Sequence, residues 1–200
     1  MILGIIGGVG AGKSTVLQCL QTVYGFRLLM ADDIAKELMN EPGPCRDKLR
    51  AAFGDSIFAA DGCIDKGAYG ALIYGDAVAR RRSDEIVHPA VWQYLEAEAA
   101  KARAACPPAL LAVETALPNR DLHALCDEVW YIYADAEVRI QRLMVARGYT
   151  REKCIAVMNS QFSEVCFTER ADYIVDNSGS EAETRERIAE LLGADKQEQR

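Results

Sequence analysis

Gly7-Gly-Val-Gly-Ala-Gly-Lys-Ser14 stands between the apolar run Ile2–Ile6 and a stretch, Ser14–Tyr24, whose Val16, Leu17, Leu20 and Val23 share one helical side. It matches the Walker A pattern Gly-x-x-x-x-Gly-Lys-Ser in full. Glycines at these places let successive backbone N–H groups turn inward around a polyphosphate, and a lysine at position 13 reaches the β and γ oxygens. The Ser14 hydroxyl is placed to ligate Mg²⁺, and the following helix aims the positive end of its dipole at the anion. Gly8, Val9, Gly10, Ala11, Gly12, Lys13, Ser14 and Thr15 are therefore the expected nucleotide-phosphate contacts, with Ser14 the expected metal ligand. The competing reading is a Gly-rich turn that merely joins strand to helix. The flanking elements favour the first reading, because they lie where a phosphate cradle needs them.

Working outward, Ile2–Ile6 suits a strand covered on both faces. Arg27–Met30 reads as a second strand, followed by a helix from Asp32 to about Met39 and a break at Asn40-Glu-Pro-Gly-Pro44. Residues 45–105 carry helical pattern and no strong strand, and end in an Ala/Glu-rich helix through Trp92, Leu95 and Ala99. Ala109–Val113 and Val129–Tyr133 are buried-strand candidates, with room for only a short helix in Pro118–Cys126. Asp135–Arg147 and Thr150–Gln161 read as helices meeting at Gly148. Tyr173–Val175 is a fifth strand, and Glu181–Leu192 a closing helix before the polar tail Gly193–Arg200.

Strands alternating with helices imply a parallel sheet with right-handed crossovers. The expected fold is an α/β P-loop NTPase three-layer sandwich with a five-stranded parallel sheet. Its core would comprise residues 1–44 and 106–200, with a lid at roughly 139–165 and a helical acceptor-binding insertion at 45–105 over the ligand cleft.

Composition narrows the function. The 200 residues suffice for one sizeable core, and the formal net charge of −7 argues against a general nucleic-acid or membrane-surface binder. No apolar run approaches the ~18 residues of a membrane span, and the N-terminus lacks the basic region of a signal peptide. The seven cysteines are scattered and never spaced Cys-x-x-Cys, which suits buried thiols in a reducing cytoplasm better than a disulfide framework or a zinc site.

A Walker A loop alone does not separate a kinase from a GTPase or a motor. The base-reading Asn-Lys-x-Asp of GTPases is absent and the chain is short for a motor module, which leaves a small-molecule kinase needing an acceptor site and a lid. Asp32, just past the second strand, either takes or orients the acceptor's hydroxyl proton or caps a helix; Asp33 is the more structural neighbour. Arg139, Arg142, Arg147 and Arg151 surround the Gly148 joint, as lid arginines or as a solvated basic face, and Arg142 and Arg147 are the choices for the lid. Glu114 ends a buried strand, where it either holds Mg²⁺ through water, contacts the acceptor or caps the next turn. His88 either contacts a phosphate or ribose, or is a hydrogen-bonded structural histidine before a helix-starting proline.

Taken together, Gly4–Thr15, Ala31-Asp32, Ile34-Ala35, Phe53-Gly54, Asp61-Gly62, Ile86-Val-His-Pro89, Gln161, Ala171-Asp-Tyr-Ile-Val-Asp-Asn177 and Gly179 resemble the dephospho-coenzyme A kinases. The landmarks run in order over about the first 180 residues. The resemblance implies ATP- and Mg²⁺-dependent phosphorylation of the ribose 3′-hydroxyl of dephospho-coenzyme A by a cytoplasmic monomer or small homo-oligomer. It implies Asp32 as catalytic aspartate, Lys13 and Ser14 as phosphate and Mg²⁺ residues, Arg142 as a lid arginine and Asn177 near the adenine of ATP. The alternatives are a related kinase acting on another nucleoside or nucleotide, and a non-catalytic ATP-binding protein. Three places depart from the family pattern: Met30 replaces an aspartate, Glu114-Thr-Ala-Leu-Pro-Asn-Arg120 replaces Pro-Leu-Leu-Phe-Glu, and Ala146-Arg147-Gly148 replaces the usual Arg-Asp of the lid.

Overall fold

The computed structural model describes residues 1–116 and 122–198, with side chains as far as Gly193. The chain forms two compact units, Met1–Leu29 with Lys101–Arg200, and Met30–Ala100.

In the first unit, β1 (Ile2–Ile6), β2 (Arg27–Met30, its last residue opening the second unit), β3 (Leu111–Glu114), β4 (Glu128–Tyr133) and β5 (Tyr173–Asp176) form one parallel sheet in the order β2-β3-β1-β4-β5. Ile2 lies opposite Leu111, and Ile6 opposite Tyr131. All five residues of β1 and all four of β3 are buried, as both-face coverage by helices demands. Each such Ile, Leu or Val contributes about 1.5–3 kcal/mol by leaving water. Two strand entries are held by aspartates: Asp127 accepts the Ile2 N–H at 2.7 Å, and Asp172 accepts the Val129 N–H at 2.7 Å.

Helix α1 (Lys13–Tyr24) ends at Gly25, whose left-handed backbone returns its N–H to the last turn. Later helices of the unit are α6 (Leu122–Leu125), α7 (Ala136–Arg147), α8 (Arg151–Asn159), α9 (Glu164–Thr168) and α10 (Glu181–Glu198). Helix α6 packs on β1 at Gly4, where a Cβ would lie 3.0 Å from Leu122 Cδ2 and 3.2 Å from Cys126 Sγ. Of the expected short helix in Pro118–Cys126, the described part is α6; residues 117–121 lie outside the described residues, and with them most of the departing segment after Glu114. The closing helix runs on through Gly193 to Glu198, further than the expected Leu192. One glycine costs a helix about 1 kcal/mol, too little to stop one that continues into Ala, Lys, Gln and Glu. Helix α9 was not expected; Ser163 caps it by accepting the Cys166 N–H at 3.3 Å.

The second unit holds α2 (Ala31–Asn40), α3 (Pro44–Phe53), a 3₁₀ turn (Asp55–Ile57), α4 (Lys66–Gly75) and most of α5 (Ala77–Ala104). Helix α2 packs on α3. The unit runs from Met30 to Ala100, and the insertion expected at 45–105 falls largely within it. A small antiparallel contact, Phe58 with Ile64, interrupts the expected all-helical stretch; Asn40 Oδ1 accepts the Ile64 N–H at 2.8 Å. Pro89 does not start a helix. Helix α5 passes straight through it, forgoing the hydrogen bond that Pro89 has no N–H to make.

Candidate active site

The loop after β1 turns through three glycines at positive φ: Gly7 at 153°, Gly10 at 77° and Gly12 at 85°. Gly12 is also the N-cap of α1 and, as a glycine, brings no capping side chain to the helix start. That leaves the helix start with backbone donors for an anion. Lys13 folds back along the loop, its Nζ donating to the Gly7 carbonyl at 2.9 Å and lying 3.4 Å from Glu114 Oε1. Glu114 is only 7 % exposed. The last residue of β3 thus holds the ammonium next to the phosphate cradle. Ser14 is exposed, Thr15 half-buried, and Ala11 buried.

Two clamps grip the loop's backbone. The first uses α7 and the turn after α8: Arg139 Nε donates to the Val9 carbonyl at 2.9 Å, while Gln161 Oε1 accepts the Val9 N–H at 2.8 Å and Arg139 Nη2 at 3.3 Å. Burial pulls the Arg139 guanidinium below its usual pKa range, with the neighbouring Tyr131 and Glu164 opposing. The second clamp uses α7 and the end of β5. Asn177 Nδ2 donates to the Ala11 carbonyl at 2.8 Å, and Arg142 bonds the Ala11 carbonyl at 3.4 Å and the Asn177 carbonyl at 2.8 Å. Thr184 of α10 donates to Asn177 Oδ1 at 2.7 Å, fixing the amide from behind. A side chain at Gly12 would collide with Asn177 Nδ2.

Of the sequence-chosen arginines, Arg142 sits on the loop. Arg147 is exposed, its guanidinium 5.9 Å from the Tyr149 ring centroid. Arg151 pairs with Glu137 at 2.5 Å. The sequence pattern groups Arg139 with the other arginines without singling it out, and Gln161 enters there only as a landmark. The legible signal was the i, i+3 spacing of Arg139 and Arg142, which puts both on one face of α7. Asn177, placed near the adenine by the resemblance, has both amide atoms engaged with Ala11 and Thr184.

In the second unit, Asp32 is exposed in the first turn of α2, whose N-cap is Met30. The capping alternative for Asp32 is therefore set aside. Asp33 pairs with Lys36 at 2.7 Å. His88 is exposed mid-helix, with Asp84 3.7 Å away, beyond hydrogen-bond length, and the proline after it lies inside the helix and does not start one.

A β2-β3-β1-β4-β5 parallel sheet that feeds a Walker A loop, itself gripped by helix-borne arginines, defines a P-loop kinase. The family model described as CoaE, dephospho-CoA kinase, matches residues 1–183, and the chain belongs to that family. A dephospho-CoA kinase of Geobacter sulfurreducens is 32 % identical over 190 residues, covering 95 % of this chain and 96 % of the relative. A crystal structure of a Thermus thermophilus protein superposes with a TM-score of 0.78 at 27 % identity, over 98 % of this chain and 97 % of that one. The dephospho-CoA kinase of Campylobacter jejuni shares the fold, with a TM-score of 0.66 at 20 % identity over 96 % of both chains. Among the described residues, no helix is long and apolar enough to cross a membrane.

Proposed function

We propose that the protein transfers the γ-phosphoryl group of ATP to the ribose 3′-hydroxyl of dephospho-coenzyme A, giving coenzyme A and ADP. The observation that carries this reading is the family match over residues 1–183, joined to a loop whose backbone and lysine are arranged for a polyphosphate. The residues present fit the nucleotide and its metal: an uncapped helix start, an exposed Ser14 hydroxyl, and a Gly12 with no room for a Cβ. Ser14 would hold Mg²⁺, which when bound neutralises charge on the β and γ oxygens.

In this reading the loop Gly8–Thr15 wraps the phosphates, with the Gly10 and Gly12 amides turned toward them, and Lys13 leaves Glu114 to follow the γ-phosphoryl oxygens during transfer. Asp32 takes the proton of the attacking hydroxyl, or holds that hydroxyl in line. Arg142 and Arg147 serve the phosphates from the lid, Asn177 serves the nucleotide side, and His88 and Glu114 serve the acceptor. Residues 45–105 form the acceptor-binding insertion and roughly 139–165 the lid. All seven cysteines are free, which suits a reducing cytoplasm. A monomer or small homo-oligomer suffices for this chemistry. Incubation with Mg-ATP and dephospho-coenzyme A tests the reading: coenzyme A and ADP should form together, and ADP formed without coenzyme A would point to a different acceptor.

A further inference from the structure

We infer that Arg139 and Gln161 are positioning residues for phosphate binding: by clamping the Val9 peptide groups from both sides, they turn the Gly10 amide toward the phosphates. The inference rests on the reading of the loop as a phosphate cradle. Its basis is the geometry of a trans peptide. Within one peptide unit the carbonyl of residue i and the N–H of residue i+1 point in opposite directions. The Val9–Gly10 bond is trans, since the one cis bond recorded among the described residues is Cys106–Pro107. Drawing the Val9 carbonyl outward onto Arg139 Nε at 2.9 Å therefore directs the Gly10 N–H to the loop's other side. The same reasoning applies at Ala11, whose carbonyl is drawn off by Asn177 at 2.8 Å, leaving the Gly12 N–H on the concave side.

Gln161 completes the first clamp. Its Oε1 takes the Val9 N–H, so both sides of Val9 are fixed to one Arg–Gln pair. An unheld Gly10 has a wide choice of backbone angles, and holding it at φ 77° is an entropic cost that would otherwise fall on nucleotide binding. Arg139 also has no slack. Its guanidinium is packed against Gly8, where a Cβ would lie 2.9 Å from Arg139 Cζ and 3.1 Å from Gln161 Oε1. An arginine spent in this way on two protein acceptors acts through the loop and not by direct contact with substrate.

The test is a double-variant cycle on the full chain, read by titration calorimetry with Mg²⁺ and a β,γ-imido analogue of ATP. No acceptor is present, so the outcome does not depend on which hydroxyl is phosphorylated. Arg139→Met keeps the stem packed but removes the donors, and Gln161→Leu keeps the shape but removes the acceptor. Each should weaken analogue binding by about tenfold, the scale of a lost charge-assisted hydrogen bond. Because the two form one clamp, the double variant should also lose only about tenfold. Inorganic tripolyphosphate should show the same losses, since the effect lies in the phosphate cradle. Arg139→Lys, which still reaches the Val9 carbonyl, should recover to within about threefold of wild type. Unchanged affinities would overturn the inference. So would a double variant weakened by about a hundredfold, or a loss that tracks unfolding temperature and is not relieved by Arg139→Lys.

Discussion

Replacing Asn177 by alanine probes the second clamp and has a cost that follows from the geometry. Asn177 is 2 % exposed and Thr184 1 %, so the bonds lost, at 2.8 Å to the Ala11 carbonyl and 2.7 Å from Thr184, are both dry. Each buried hydrogen bond is worth about 1 kcal/mol net, and a stranded partner costs more. Neither partner is wholly stranded here. Arg142 still lies 3.4 Å from the Ala11 carbonyl, and the Thr184 hydroxyl can turn its hydrogen to the Ser180 carbonyl at 3.2 Å. The expected loss is therefore about 2–3 kcal/mol, which for a chain of this size lowers Tm by roughly 5–10 °C. Thr184→Val removes only the rear support and should cost about 1 kcal/mol, with little loss of ATP-analogue affinity, because Asn177 Nδ2 still holds Ala11. Thermal unfolding followed by calorimetry, beside analogue titration, separates the two. An Asn177→Ala protein melting within about 2 °C of wild type, with unchanged analogue affinity, refutes the reasoning.

Other expectations are as specific. Asp32→Asn should cut acceptor-dependent turnover by roughly 10²–10⁴-fold while leaving ATP-analogue affinity intact; equal turnover would remove Asp32 as the base. Glu114→Gln takes a buried carboxylate from beside Lys13, so the nucleotide-free protein should melt earlier and gain more Tm on adding nucleotide than wild type does. An unchanged nucleotide-induced gain would show that Glu114 does not compete for the ammonium. Burial pushes the Cys126 thiol up to about 12, so at pH 8 it stays protonated and inert. A thiol-alkylating reagent followed by mass spectrometry should label exposed Cys63 and Cys106 and spare Cys126, and early labelling of Cys126 would contradict its burial.

The core of the molecule was legible because its signals are local. Ile2–Ile6, the Walker A loop and the capping Gly148 announce themselves over a few residues, and the strands fall within two residues of their expected edges. What escaped was set by distance in the chain. Nothing near Gln161 in sequence reveals that its side chain meets Val9, 152 positions away, or that Asn177 meets Ala11 across 166. The arginines were visible as a cluster, but only the face of α7 that meets the loop distinguishes Arg139 and Arg142 from Arg147. Pro89 misled for a different reason. The rule that proline opens helices is a preference, and in α5 the surrounding turns outweigh the missing hydrogen bond. The break at Asn40–Pro44, which the sequence marks as the edge of the insertion, separates two helices that pack on each other within the second unit.

The central claim is that the Gly7–Ser14 loop serves phosphoryl transfer to one particular hydroxyl. Its most direct test is mass spectrometry of the product formed from Mg-ATP and dephospho-coenzyme A. The account predicts coenzyme A phosphorylated at the ribose 3′-position, in equal amount with ADP and abolished by Lys13→Met. Absence of acceptor-dependent ADP, or phosphate found at another position, would contradict it.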